Sequence, residues 1–159
     1  MKESEAPFLH RCIELAGEAL DAGDEPFGSL LVSGDGEILL EARNRVVSGD
    51  RTQHPEFEIA RWAAANMTPE ARAAAVVYTS GEHCPMCAAA HGWAGLGRIV
   101  YISSTGQLSA WLAELGLPSP PVNALPIQEI VPTVTVEGPI PDLVERVHKL
   151  HIRCHRASG

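Results

Sequence analysis

The chain has 159 residues, 45% of them apolar, and its twelve basic residues face twenty acidic ones for a formal net charge of −8. That length and apolar content suit a domain with a buried core and exclude a disordered or fibrous chain. No apolar run reaches the roughly 18–20 residues that span a bilayer, and lysine is confined to Lys2 and Lys149, so the basic footprint of a nucleic-acid binder is missing in bulk.

The charged start, Met1 to Glu5, leads into no signal-like apolar stretch, which makes a cytoplasmic protein the expectation. Residues 5–21 repeat Phe8, Cys12, Leu15, Ala16, Ala19 and Leu20 at helical spacing. Gly23-Asp24-Glu25-Pro26 breaks that helix. Residues 27–33 predict a strand, Gly34-Asp35-Gly36 a hairpin turn, and Ile38 to Arg43 the returning strand. After a polar loop from Asn44 to Gln53, a helix starts at His54-Pro55-Glu56 and runs to about Met67, with Pro55 suited to its first turn.

Residues 75–79 form a short run of β-formers and predict a buried strand. Cys84-Pro85 opens a helix that ends near Gly95-Leu96-Gly97. Residues 98–103 predict a strand and 107–115 a short helix that Pro118 to Pro121 cannot continue. A strand interrupted by Pro132 is expected within 127–136. Residues 141–155 predict a terminal helix with Leu143, Val144, Val147, Leu150 and Cys154 on one side. The order of elements implies one α/β domain over residues 1–159, a three-layer α/β/α sandwich with a mixed sheet of about five strands.

Four cysteines occur: Cys12, Cys84, Cys87 and Cys154. In a chain without secretory features, the Cys84-Pro85-Met86-Cys87 pair points to metal or redox chemistry. His54-Pro55-Glu56 precedes it by about thirty residues, and both motifs open helices. One imidazole and two thiolates supply three zinc ligands, leaving a fourth position for water, which is the catalytic arrangement. Helix starts favour thiolate over thiol. Glu56, two residues after a ligand, lies close to the metal without being needed to bind it, and can carry protons. His151 and His155 have chelating spacing in the terminal helix, but an amphipathic helix is the plainer account of that segment.

The pairing of His-x-Glu with Cys-x-x-Cys resembles the cytidine deaminase-like superfamily of zinc deaminases. The likeness extends to Pro26-Phe27-Gly28, Asn44, Glu82 and Trp93, covers roughly residues 5–105, and is nearest in pattern to bacterial guanine deaminases. It implies one Zn2+ per chain on His54, Cys84 and Cys87, with Glu56 as proton shuttle. It implies that the Asn44 amide, which can donate and accept, meets the substrate, and that Phe27 and Trp93 wall a flat ring. The implied reaction is hydrolytic deamination of a free nucleobase or related amino-heterocycle, guanine foremost. Cytosine, cytidine, s-triazines and tRNA adenosine are alternative substrates, and a non-catalytic zinc module is a further alternative. A homodimer acting on a small heterocyclic amine, with no membrane and no nucleic-acid partner, is the implied setting, with the helix at about 140–156 covering the pocket. Two positions depart from the family's pattern: His83 stands where proline usually precedes the first zinc cysteine, and Pro55 stands where alanine is common.

Overall fold

The computed structural model describes residues 1–156. A 3-10 turn over Glu3–Glu5 leads into helix α1 (Ala6–Asp21), followed by the hairpin β1 (Gly28–Val32) and β2 (Ile38–Arg43). Then come α2 (Pro55–Asn66), α3 (Pro69–Ala74), β3 (Val76–Gly81), α4 (Pro85–Ala94), β4 (Ile99–Ser103), α5 (Thr105–Glu114), α6 (Ile127–Ile130), β5 (Val136–Glu137) and α7 (Pro141–Arg156). The five strands form one sheet in the order β2-β1-β3-β4-β5. β1 pairs antiparallel with β2 and β3, while β3–β4 and β4–β5 are parallel.

Side-chain alternation sends β1, β3 and β4 into two cores. Leu30, Val32, Val100 and Ile102 pack with Leu9, Cys12 and Ile13 of α1, Trp111 of α5, and Leu143 and Val147 of α7. On the other face, Leu31 and Val77 meet Ile59, Ala60 and Ala63 of α2, while Ile99 and Tyr101 meet Ala88 of α4 and Ile127 of α6. The chain is therefore an α/β/α sandwich around a mixed five-stranded sheet. Gly28 allows the approach of α1 to β1: a Cβ there would stand 2.5 Å from the Cys12 carbonyl oxygen and 2.5 Å from Leu15 Cβ.

Two segments differ from the sequence reading. The strand expected within 127–136 is the short helix α6 followed by the two-residue β5. Pro126 is the N-cap of α6, and the Ile127 N–H donates to Glu82 Oε2 at 2.9 Å, which fixes a helical start where the β-formers alone suggested a strand. Helix α3 was not anticipated, although Thr68 caps it by accepting from the Ala71 N–H at 3.2 Å. No helix among the described residues is long and apolar enough to cross a membrane.

Candidate metal centre

Two helix starts meet on one face of the sheet, where α2 and α4 pack together. His54 is the N-cap of α2 and Cys84 the N-cap of α4, both in extended backbone, and each is followed by proline in the first turn. Pro55 and Pro85 have no N–H to lose there and arrive with a helical φ. One turn into α4, Cys87 turns back toward Cys84. His54 Nδ1 lies 3.5 Å from each sulfur, and the two sulfurs are 3.6 Å apart. Zinc–sulfur bonds of about 2.3 Å and a zinc–nitrogen bond of about 2.05 Å at tetrahedral angles require separations of about 3.8 Å and 3.6 Å. The three donors fit a tetrahedral zinc ion with one open position. Among the described residues they are the only cluster of metal-ligating side chains with this convergence. His148, His151 and His155 form no second one.

The protonation of these three groups follows from their contacts. Cys84 is pushed down to about 4, first by its contact with Cys87 and then, against burial, by the His54 ring. The same contact with Cys84, reinforced by burial and by Glu56, holds the proton on Cys87. His54 is raised, first by Cys84, with burial opposing. A divalent cation must therefore displace protons on binding.

Glu56, in the first turn of α2, is 5% exposed. Burial raises its carboxyl, with His54 and Thr79 acting the other way. Its Oε1 accepts from the Thr79 hydroxyl at 2.8 Å and from the Ser29 hydroxyl at 3.1 Å. A buried carboxyl with a raised proton affinity is suited to taking up and returning a proton. Neither hydroxyl was singled out from the sequence. The available signal was a serine in the otherwise apolar β1 and a threonine among the hydroxyl residues of β3.

Asn44 follows β2 and is 1% exposed. Its Oδ1 accepts from the backbone N–H groups of Glu25 (3.3 Å) and Val46 (3.1 Å). The amide therefore has its acceptor committed to the loop and retains Nδ2 as a donor. This narrows the dual role expected from sequence. The loop is clamped by buried Asp24, whose carboxylate accepts from Arg43 Nη1 and from the Val47 N–H, both at 2.8 Å. Phe27 lies against Gly81, at 3.2 Å from a would-be Cβ there, and meets the His151 ring of α7 edge-on at 5.0 Å. The terminal helix thus reaches the residue expected to wall the site.

Trp93 is not brought to these residues within one chain: it is 92% exposed. Six residues past Cys87 is about 240° around a helix, which points it away from the sulfur. His83 and His91 are each 1% exposed, with rings edge-to-face at 5.4 Å. His91 Nε2 lies 2.7 Å from the Gly97 carbonyl oxygen, whereas neither His83 nitrogen has a partner among the described residues. Glu82 carries a structural role: its carboxylate accepts from the Thr105 and Ile127 N–H groups, both at 2.9 Å, tying the cysteine loop to the starts of α5 and α6.

Residues 2–103 match a family model described as the cytidine and deoxycytidylate deaminase zinc-binding region. The chain is 33% identical over 110 residues to the "Probable cytosine deaminase" of Schizosaccharomyces pombe, covering 68% of this chain and 65% of that protein. It is 38% identical over 96 residues to the guanine deaminase of Bacillus subtilis, covering 59% and 61%. The aligned stretch thus spans less than two thirds of either relative. A solved protein in complex with 2,6-diaminopurine shares the fold with a TM-score of 0.72 at 20% identity, over 96% of this chain and 82% of that one.

Proposed function

Because the chain belongs to the cytidine and deoxycytidylate deaminase zinc-binding family, we propose that it is a zinc-dependent hydrolase that deaminates a free nucleobase or related amino-heterocycle, with guanine favoured. The observation that carries this reading is the convergence of His54 Nδ1 and the Cys84 and Cys87 sulfurs to within 3.6 Å of one another, next to a buried carboxyl at Glu56.

His54, Cys84 and Cys87 would hold one zinc ion, whose double charge two thiolates offset. Bound zinc supplies an acidified water as nucleophile. Glu56 would take one proton from the water and pass it to a ring nitrogen, then take the remaining proton from the added hydroxyl and pass it to the departing amine. Water adds to the amine-bearing carbon; ammonia leaves and the oxo heterocycle remains. Asn44 Nδ2 donates to an acceptor on the ring, and Phe27 lies along the ring's face. Guanine is favoured by the 38% identity to the Bacillus subtilis guanine deaminase and by an acidic chain poorly suited to polyanions. The relationship to a cytosine deaminase-named protein keeps cytosine in the panel. The proposal includes a cytoplasmic homodimer, for which the exposed Trp93 indole supplies apolar surface; sedimentation tests the oligomer directly.

The test is ammonia release by the zinc-loaded protein from guanine, cytosine, adenine, their nucleosides, ammeline and tRNA. The proposal expects turnover of guanine above the others. Release from tRNA alone would overturn the small-molecule assignment, and release from none would overturn the enzymatic one.

A further inference from the structure

We infer that Ser29 and Thr79 are positioning residues for Glu56: their hydroxyls hold Oε1 so that Oε2 is the oxygen presented to the reacting atoms. The inference rests on the reading of Glu56 as the proton carrier.

Ser29 of β1 and Thr79 of β3 are directly opposite in the antiparallel register. They share the sheet face that Leu31 and Val77 turn toward α2. Both are fully buried. Packing alone would fill such positions with alanine or valine, because a buried hydroxyl is costly unless it is paired. Here the two hydroxyls converge on one carboxylate oxygen, at 3.1 Å and 2.8 Å, and lie 2.8 Å from each other.

The terminal torsion of a glutamate is broad and nearly two-fold, so the backbone of α2 does not fix the plane of its carboxylate. Two donors on one oxygen do. Each hydroxyl has a single proton and therefore a choice. Thr79 Oγ1 is also 2.9 Å from the Gly81 carbonyl oxygen. Against that neutral acceptor an ionised carboxylate wins the proton, because charge-assisted hydrogen bonds are the stronger. Ser29 Oγ has its own choice, between Thr79 Oγ1 at 2.8 Å and Glu56 Oε1 at 3.1 Å. The carboxylate wins that proton for the same reason, so a proton taken up by Glu56 goes to Oε2. A proton on Oε1 would face the hydroxyl pair, where it can serve no substrate.

The experiment compares zinc-loaded wild type with Ser29→Ala, Thr79→Val and Thr79→Ser, each checked for zinc content. For guanine, or the amine in the panel that wild type turns over best, Thr79→Val should lower kcat about 10- to 100-fold with KM changed less than about threefold, the scale of loss from a misplaced catalytic group. Thr79→Ser restores the hydroxyl and should recover kcat to within about threefold of wild type. Unchanged kcat in Thr79→Val, or a Thr79→Ser as poor as Thr79→Val, would overturn the inference. A crystal structure of zinc-loaded Thr79→Val gives a readout independent of turnover. The Glu56 carboxylate should be rotated or spread over several orientations, and one unchanged orientation would contradict the positioning role. Wild type inert on every amine would remove the functional reading, while that carboxylate orientation would still decide the role of the hydroxyls.

Discussion

His151 should make the fold acid-sensitive. It sits on the buried face of α7, 2% exposed, with Phe27 at 5.0 Å and Trp111 at 5.8 Å between ring centroids. Burial first, then the neighbouring His155 and His148, push its imidazole down to about 3 from an ordinary 6.5. Above about pH 6.5 the ring is neutral whether the chain is folded or not, and its contribution is intact. Below that, the unfolded chain takes up a proton that the folded chain refuses until about pH 3, so stability falls as pH falls. The slope is about 1.4 kcal/mol per pH unit, which amounts to about 2 kcal/mol between neutrality and pH 5. In a chain of this size that corresponds to about 4–8 °C in Tm. Urea unfolding of wild type and His151→Phe at pH 7.5 and 5.0 reads the difference. Phenylalanine keeps a ring of similar size and cannot protonate, so the variant should lose about 2 kcal/mol less than wild type on acidification. An equal loss in both proteins would refute the argument.

Asn44→Asp should separate structure from recognition. The aspartate oxygen keeps both loop acceptor bonds, so Tm should hold, while loss of the Nδ2 donor should lower kcat/KM at least about tenfold; equal activity would remove Asn44 from substrate contact. Gly28→Ala should destabilise by about 1–3 kcal/mol, because its Cβ would collide with α1 backbone at 2.5 Å; urea unfolding reads this, and a neutral result would contradict the close approach. Cys87→Ala should purify with little zinc, and full metal occupancy would exclude it as a ligand. In the wild type, zinc must displace the proton that Cys84 and burial hold on Cys87. Its apparent affinity should therefore rise about tenfold per pH unit for each proton released, as competition with a chelator would report; a pH-independent affinity would contradict that protonation.

The convergence of His54, Cys84 and Cys87 was legible because each half of the cluster is local in sequence. His54 and Glu56 are two residues apart, Cys84 and Cys87 three, and proline after each first ligand marks a helix start. The sandwich was legible from the alternation of helical and strand periodicities. What stayed hidden depends on contacts distant in sequence. Ser29 and Thr79 meet only through the β1–β3 register, fifty residues apart, and a hydroxyl in a strand does not announce a partner. Asn44 looked like a two-way hydrogen-bonding group until the loop claimed its oxygen through Glu25 and Val46. Trp93 was close to Cys87 in sequence and on another side of the helix in space. The β-formers after Pro126 suggested a strand because nothing local indicates that Glu82, forty-five residues earlier, binds the Ile127 N–H.

The most direct measurement takes metal-free protein, adds zinc in steps and follows ammonia release from guanine, with Glu56→Gln run in parallel. Activity should rise in proportion to metal and level off at one zinc per chain. Glu56→Gln should bind the same zinc and lose about 10²- to 10⁴-fold in kcat. Ammonia release that is indifferent to zinc, or a Glu56→Gln variant as active as wild type, would contradict the account.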